Sequence, residues 1–200
     1  MSKGRMEAFS DGVIAILITI MVLELKAPHG SELSALRSLL SPLSSYLLSF
    51  VFLGIYWNNH HHLLQAVGHV SGSALWANLH LLFWLSLVPL VTHWMGENFG
   101  AVPVALYGTV LLLSGVAYFV LERALLAHHS QDSALARAVG DDFKGKLSIA
   151  IYLLGIALAF VLPELACGLY VLVAILWLVP DRRIERALAE TRDSSGARQV

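Results

Sequence analysis

Charged side chains are scarce in this sequence. Only 14% of its 200 residues are Asp, Glu, Lys or Arg, whereas 57% are hydrophobic, and the mean hydropathy is +0.70. A soluble domain of this length needs more charged surface to stay in solution. The formal net charge is −1, so no excess of positive charge suggests binding to nucleic acid. The composition predicts an integral membrane protein, with the lipid bilayer as a partner and no nucleic acid partner.

Cysteine is almost absent as well. Cys167 is the single cysteine, which excludes an intrachain disulfide and a zinc site built from several cysteines. The sequence also has no Gly-rich phosphate loop and no sign of a soluble catalytic domain. It has no internal inverted repeat of the kind that many secondary transporters contain. We therefore expect no cofactor, no resident metal ion and no enzymatic activity.

Long hydrophobic runs, in contrast, make up most of the chain. A membrane-spanning helix needs about 20 mostly apolar residues. Six segments approach that length, and they cover about residues 6–25, 43–64, 73–94, 101–126, 147–162 and 165–179. We predict an all-α integral membrane fold with six transmembrane helices in a domain of residues 1–180. A charged tail, residues 181–200, follows this domain.

The distribution of positive charge predicts the orientation of these spans. With six spans, eleven of the 13 Lys and Arg residues fall on the side of the two termini, and only Lys26 and Arg37 fall on the other. Loops rich in Lys and Arg remain in the cytoplasm. We therefore predict a multi-pass membrane protein whose termini are both cytoplasmic.

An acidic residue lies inside the first hydrophobic segment. Asp11 comes about one and a half turns into it, beside Ser10 and shortly after Arg5. A carboxylate costs roughly 2.5–3.5 kcal/mol at the bilayer centre on insertion scales, and less near an interface. Asp11 must therefore face protein or water. It belongs either to an interfacial cap or packing network, or directly to a path for ions or protons.

Beyond Asp11, one face of the first helix is mainly aliphatic. At 100° per residue, this stripe contains Gly12, Ile16, Thr19, Ile20 and Leu23. The acidic residue Glu24 lies near its outer end. Such a stripe is usually buried packing. The alternative is that copies of the stripe surround an axis, where apolar rings gate a pore by dewetting and a charged ring at the mouth concentrates cations. One chain supplies one stripe, so the alternative requires a symmetric oligomer.

Histidine is unusually frequent, with nine residues, and three are adjacent at the end of the second span: His60, His61 and His62. Imidazole is a good ligand for iron, copper and zinc, so a His-rich membrane metalloenzyme is one alternative function. Adjacent residues on a helix point in three directions, and no Asp or Glu lies nearby in the sequence. Packing or pH sensing is therefore favoured over a metal site. A secondary transporter or proton pathway is a further alternative.

The first helix carries a recognisable motif. Arg5, Phe9, Ser10 and Asp11 form an Arg-x-x-x-Phe-Ser-Asp pattern, and residues 22–28 read Val-Leu-Glu-Leu-Lys-Ala-Pro. This segment resembles the signature of the transmembrane-protein-175 family, and so does the end of the second span from Trp57 to the histidine triplet. The family comprises lysosomal potassium channels in animals and single-repeat, six-helix relatives in bacteria. The resemblance implies a channel of the bacterial plasma membrane.

The resemblance also implies roles for individual residues. It implies a homotetrameric, modestly selective potassium channel that also passes other monovalent cations, with the first helices lining the pore. By position from the motif, the pore constriction would be formed by Ile16, Ile20 and Leu23. Thr19 would contribute to selectivity, and Glu24 would supply charge at the pore mouth. A structural network near the cytoplasmic end would contain Arg5, Phe9, Ser10 and Asp11, with His60, His61 and His62 as partners.

A carbonyl-lined selectivity filter is missing from the sequence. No Thr-Val-Gly-Tyr-Gly segment is present, and residues 106–110, Leu-Tyr-Gly-Thr-Val, share only a superficial likeness to one. A ring of backbone carbonyls therefore cannot set the selectivity. We expect only modest discrimination between K⁺ and Na⁺.

Overall fold

The computed structural model describes residues 2–29, 32–127 and 143–178, and all regular structure within these ranges is helical. The α-helices are α1 Lys3–Leu23, α2 Leu40–Gln65, α3 Gly72–Ser86, α4 Val88–Glu97, α5 Ala101–Leu126, α6 Phe143–Ala159 and α7 Pro163–Leu178. A 3₁₀-helix, Leu33–Leu39, precedes α2. The all-α prediction is confirmed. The predicted tail, residues 181–200, lies outside the described residues.

Six helical passes occur at the positions of the six predicted spans. Four segments are long and apolar enough to cross a membrane, namely Lys3–Leu23, Leu33–Gln65, Gly72–Glu97 and Ala101–Leu126. The last two passes are shorter, with 17 residues in α6 and 16 in α7. At 1.5 Å per residue these two helices are about 25 Å long, slightly less than a typical hydrocarbon core.

The third pass is broken rather than continuous, which the sequence analysis did not predict. Leu87 separates α3 from α4, and Pro89 occupies the first turn of α4. Proline has no N–H to donate and disfavours the helical conformation in the residue before it, so it is best tolerated at a helix start. The N–H of Leu87 bonds to the carbonyl of Trp84 at 3.2 Å, which closes the end of α3. The proline therefore explains the break.

The helices form two groups that share α5. α1 packs principally on α2, α3 and α4, whereas α5 packs on α3, α4 and α6, and α6 packs on α7. Two glycines bring α7 close to its neighbours. A Cβ at Gly155 would lie 2.6 Å from Cε1 of Tyr170, and a Cβ at Gly108 would overlap the Tyr170 hydroxyl. Small residues at helix contacts allow this close approach, as in many membrane proteins.

Polar contacts identify the two ends of the bundle. At one end, Nζ of Lys3 donates to the carbonyl of Gln65 at 3.4 Å, which joins the start of α1 to the end of α2. At the other end, Nζ of Lys26 lies 4.0 Å from Oε1 of Glu97, which joins the segment after α1 to the end of α4. We call these the inner end and the outer end. The first three passes therefore run in alternating directions between these two ends, as the predicted order of the spans requires.

Candidate functional site

One face of α1 is left uncovered by the other residues that the structure describes. It contains the predicted apolar stripe, since Ile16 is 60% exposed, Ile20 39% and Leu23 78%. On the opposite face, Ile14 is fully buried and Ile18 packs against the core. Within the described part of the chain, the stripe is therefore not used for packing. It is available to lipid, to another copy of the chain or to a pore.

Thr19 is exposed on the same face, halfway along the stripe. Its Oγ1 donates to the carbonyl of Ile16 at 3.0 Å. A hydroxyl has one hydrogen to donate and two lone pairs that accept. Because the hydrogen is used within the helix, the outward side of the Thr19 oxygen can act only as an acceptor. An oxygen in this state can contact a cation.

The outer end of the stripe carries a carboxylate. Glu24 follows the last residue of α1, and its side chain is 55% exposed. Its Oε2 lies 3.7 Å from Nδ1 of His93 on α4. The carboxylate therefore lies beside α4, one residue after Leu23, at the outer end of the stripe. Negative charge at such a place raises the local concentration of cations.

Buried polar residues tie α1 to α2 and α3 near the inner end. Ser10 is fully buried, and its Oγ donates to the carbonyl of Met6 at 2.8 Å. The same oxygen accepts from Nδ2 of Asn78 at 2.9 Å, and Oδ1 of Asn78 lies 2.8 Å from Nε2 of His60. The amide oxygen can only accept, so Nε2 of His60 must donate. We call Ser10, Asn78 and His60 the three-helix network.

His60 is also fully buried, and its Nδ1 has no hydrogen-bond partner among the residues that the structure describes. Since Nε2 carries the proton, Nδ1 is left with a lone pair in the neutral imidazole. A protonated ring would bury a second donor without a partner, which costs free energy. The geometry therefore favours a neutral His60 with a structural role.

A second set of contacts joins α1 to α2 beside this network. Nε1 of Trp57 donates to Oδ1 of Asp11 at 3.1 Å. Nδ1 of His61 lies 3.1 Å from Oε1 of Glu7, and Nε2 of Gln65 lies 2.8 Å from Nε2 of His61. The Trp57 and His61 rings stack, with centroids 6.3 Å apart. Asp11 therefore has a partner on α2, as a side chain in a packing network needs.

Not every predicted network residue takes part in these contacts. The Phe9 ring is 50% exposed, and the exposed Arg5 side chain forms no hydrogen bond within the described ranges. The His62 ring lies edge-on to the ring of His61 on the same helix, with the two centroids 5.8 Å apart. Asn78 was not among the residues predicted from the sequence. The signal for it was an uncharged amide inside an apolar span, a residue type that forms hydrogen bonds between membrane helices.

The histidine triplet does not converge on one point. His60 faces Asn78 on α3, whereas His61 faces Glu7 on α1. Among residues 2–29, 32–127 and 143–178, no three His, Cys, Asp or Glu side chains are grouped so that they could hold a metal ion. His60 and His61 therefore link α2 to α3 and α1, respectively.

Comparison with known proteins places this arrangement in a family. The family model described as endosomal/lysosomal potassium channel TMEM175 matches residues 5–89. A potassium channel of Chryseobacterium sp. (strain P1-3) is 54% identical over 191 residues, which cover 95% of this chain and 100% of that protein. A potassium channel of Streptomyces collinus is 32% identical over 188 residues, covering 86% of this chain and 90% of that protein.

A solved structure agrees with these sequence matches. The crystal structure of a lysosomal potassium-selective channel TMEM175 homolog from Chamaesiphon minutus matches with a TM-score of 0.77 at 29% identity, covering 90% of this chain and 97% of that one. The match extends over both helix groups, well beyond the first-helix motif. This multi-pass membrane protein belongs to the TMEM175 family, as the motif of its first helix predicted.

Proposed function

We propose that this chain forms a potassium-permeable cation channel in the bacterial plasma membrane, with α1 from four copies lining the pore. The observation that carries the proposal is the uncovered face of α1, on which Ile16, Ile20 and Leu23 are all exposed. Family membership and the potassium-channel names of the relatives support it. Four copies of this face around an axis would turn an unpartnered stripe into a pore lining.

The aliphatic residues would form the constriction of this pore. From Ile16 to Leu23 the helix rises by about 10 Å, so Ile16, Ile20 and Leu23 would form stacked apolar rings. A hydrated cation must lose water at such a ring, with no oxygen to replace it, and the ring can gate by dewetting. Between Ile16 and Leu23, Thr19 is the only residue with a hydroxyl. It is our candidate for the contribution to selectivity.

Charge and orientation fit the same arrangement. Glu24 from four copies would place four carboxylates at the outer mouth, and charged rings of this kind favour cations. The excess of Lys and Arg on the side of the termini supports a cytoplasmic location for both termini. With that orientation Glu24 faces the outside of the cell.

A fourfold assembly suits the surface of α1. Homo-oligomers close by symmetry, and a pore lined by one helix per chain requires several copies around an axis. Near the inner end, Gly12 is exposed, and a Cβ there would meet no atom of the chain within 4 Å. Glycine on an exposed face allows the helices of neighbouring copies to approach closely.

Flux measurements test the proposal. Purified protein is reconstituted into liposomes with a K⁺ gradient, and flux is recorded with K⁺ and then with Na⁺ in its place. We expect K⁺ flux that protein-free liposomes lack, and a smaller Na⁺ flux. Correctly inserted protein that passes no K⁺ would contradict the channel. A detergent complex whose mass corresponds to fewer or more than four chains would contradict the tetramer.

A further inference from the structure

The outer half of the third pass, α4, is bonded to α2 at two levels. In the middle of α4, Oγ1 of Thr92 lies 2.6 Å from Oγ of Ser49 on α2. Near the end of α4, the carbonyl of Gly96 accepts from Oγ of Ser41 at 2.9 Å. A Cβ at Gly96 would lie 2.9 Å from Cα of Pro42, so the two backbones approach closely there. Hydrogen bonds and close packing therefore join α4 to α2 along its outer half.

The bond between Ser49 and Thr92 belongs to a chain of hydrogen bonds with a fixed direction. Oγ1 of Thr92 donates to the carbonyl of Val88 at 2.6 Å, which uses its one hydrogen. Ser49 must therefore donate to Thr92, and the hydroxyl of Tyr107 on α5, 2.9 Å away, must donate to Ser49. All three hydroxyl side chains are buried. The chain ends at the first residue of α4, beside the break at Leu87, and Ser49 is its middle link.

The outer end of α1 lies against the same two helices. Met21 and Glu24 line a small cleft, whose other side is formed by Tyr46 of α2 and by Thr92 and His93 of α4. Nδ1 of His93 lies 3.7 Å from Oε2 of Glu24. We call Tyr46, Thr92 and His93 the outer seat. Thr92 therefore belongs both to the hydrogen-bond chain and to the surface beside the Glu24 carboxylate.

We propose that Ser49 is a positioning residue for the outer mouth of the pore, because its bond to Thr92 fixes the outer seat beside Glu24. The inference rests on the proposed pore, in which Glu24 supplies charge at the mouth. α4 has ten residues and is separated from α3 at Leu87, so tertiary contacts rather than its own hydrogen bonds set its position. Without the Ser49 bond, the seat and the carboxylate beside it shift. A carboxylate farther from the ion path attracts cations less strongly.

Two variants disturb the joint between α2 and α4 in different ways. Ser49→Ala removes the middle link, so that Thr92 loses its donor on α2. Gly96→Ala leaves this link in place and separates the helices at the other level, because the new methyl group would meet the backbone of Pro42. Neither change alters a charge or a residue of the outer seat.

Two further variants control for a general loss of stability. Tyr107→Phe removes the donor to Ser49 but leaves the bond between Ser49 and Thr92 intact. Ser114→Ala removes a hydroxyl that is also fully buried, and whose Oγ donates to a carbonyl of its own helix, α5, at 2.8 Å. A role confined to protein stability predicts similar effects for Tyr107→Phe and Ser49→Ala. A positioning role predicts an effect of Ser49→Ala alone.

Single-channel conductance in planar bilayers tests the proposal, measured in symmetrical KCl at about 10 mM and about 1 M. The Debye length is about 30 Å at 10 mM and about 3 Å at 1 M, so charge at the mouth matters mainly at the lower concentration. For Ser49→Ala and Gly96→Ala we expect a conductance about twofold below wild type at low salt and close to wild type at high salt. In a Glu24→Gln background, which lowers the low-salt conductance by itself, neither variant should cause a further loss.

Tyr107→Phe and Ser114→Ala should conduct like the wild type at both concentrations. Wild-type conductance at low salt in an assembled Ser49→Ala or Gly96→Ala channel would overturn the proposal. An equal loss in Tyr107→Phe, or a loss that persists in the Glu24→Gln background, would also overturn it. These outcomes leave the channel itself intact, whereas a wild-type protein that passes no K⁺ would contradict the proposed function.

Discussion

At the scale of single residues, α1 carries aliphatic side chains in two different environments, buried and exposed, which composition alone cannot distinguish. Ile14 is fully buried, and Ile16, two residues later, is 60% exposed. Both are isoleucines in the same apolar run, so only their positions around the helix separate them. The 3.6-residue period of the helix predicts that these two side chains lie on different faces. It does not predict which neighbouring helices cover the buried face.

Replacing Ile16 with Asn tests the constriction. An amide at this ring offers oxygen to a cation and wets the pore, so we expect a larger current and weaker discrimination between K⁺ and Na⁺. A tenfold rise would correspond to about 1.4 kcal/mol removed from the barrier. The measurement is conductance and reversal potential in reconstituted bilayers.

Ile18→Asn is the matched control, because Ile18 packs against the core of the same chain. Burying an unpaired amide there costs about 1–3 kcal/mol, so the expected defect is lower stability or assembly. An assembled Ile18→Asn channel with altered selectivity, together with an Ile16→Asn channel identical to the wild type, would show that the wrong face was assigned to the pore.

Thr19 allows a finer test of selectivity. Thr19→Val keeps the side-chain shape and removes the oxygen, whereas Thr19→Ser keeps the oxygen. We expect Thr19→Val to lower the K⁺/Na⁺ permeability ratio several-fold and Thr19→Ser to stay close to the wild type. Reversal potentials under bi-ionic conditions give the ratio. A Thr19→Val channel with an unchanged ratio would leave the hydroxyl without a role in selectivity.

At the scale of helices, the three-helix network holds α1 against α2 and α3 through Ser10, Asn78 and His60. Asn78→Leu removes two hydrogen bonds between helices, and each contributes about 0.6 kcal/mol on average and up to about 1.7 kcal/mol in membrane proteins. It also leaves the Nε2 proton of His60 buried without a partner. We expect a loss of about 1–3 kcal/mol, seen as a lower melting temperature of the detergent-solubilised protein.

Asn58→Leu provides the control for this change. Asn58 lies on α2 close to His60, is partly buried, and makes no side-chain hydrogen bond within the described residues. Its replacement should change the melting temperature far less. Similar melting temperatures for the two variants would mean that the network does not stabilise the helix packing.

The helical elements themselves were largely predictable. Spans were expected near residues 6–25 and 101–126, and the helices found are Lys3–Leu23 and Ala101–Leu126. Apolar runs of bilayer length can satisfy their backbone groups only as helices, which explains this success. The break at Leu87 was missed because a hydropathy pattern does not register a single proline, although Pro89 was visible in the sequence.

At the scale of the whole molecule, topology is open to a direct test. In a Cys167→Ser background, Ser34→Cys and Asn98→Cys lie at the outer end, and Gly68→Cys, between α2 and α3, lies at the inner end. An impermeant thiol reagent added to intact cells should label the first two and not Gly68→Cys or Ser195→Cys. Labelling of the Gly68 or Ser195 variant in sealed cells would contradict either the predicted orientation or the six-span topology itself.

The channel prediction holds over its alternatives at this scale. The family model and the named relatives are channels rather than enzymes, so the metalloenzyme suggested by the histidines is not supported. His60 and His61 of α2 instead contact side chains of α3 and α1. A count of histidines could not distinguish these roles, because ligand geometry depends on where helices far apart in the sequence meet.

The sequence by itself determined the membrane class, the six spans, their charge bias and the family. Those properties depend on composition, on charge between spans and on a motif within one helix, all of which are local. Tertiary structure decided which partners meet: Asn78 with Ser10, Trp57 with Asp11, and Ser49 with Thr92. Ser10 and Asn78 are 68 residues apart, and only the packing angles and depths of the helices bring such residues within hydrogen-bond distance.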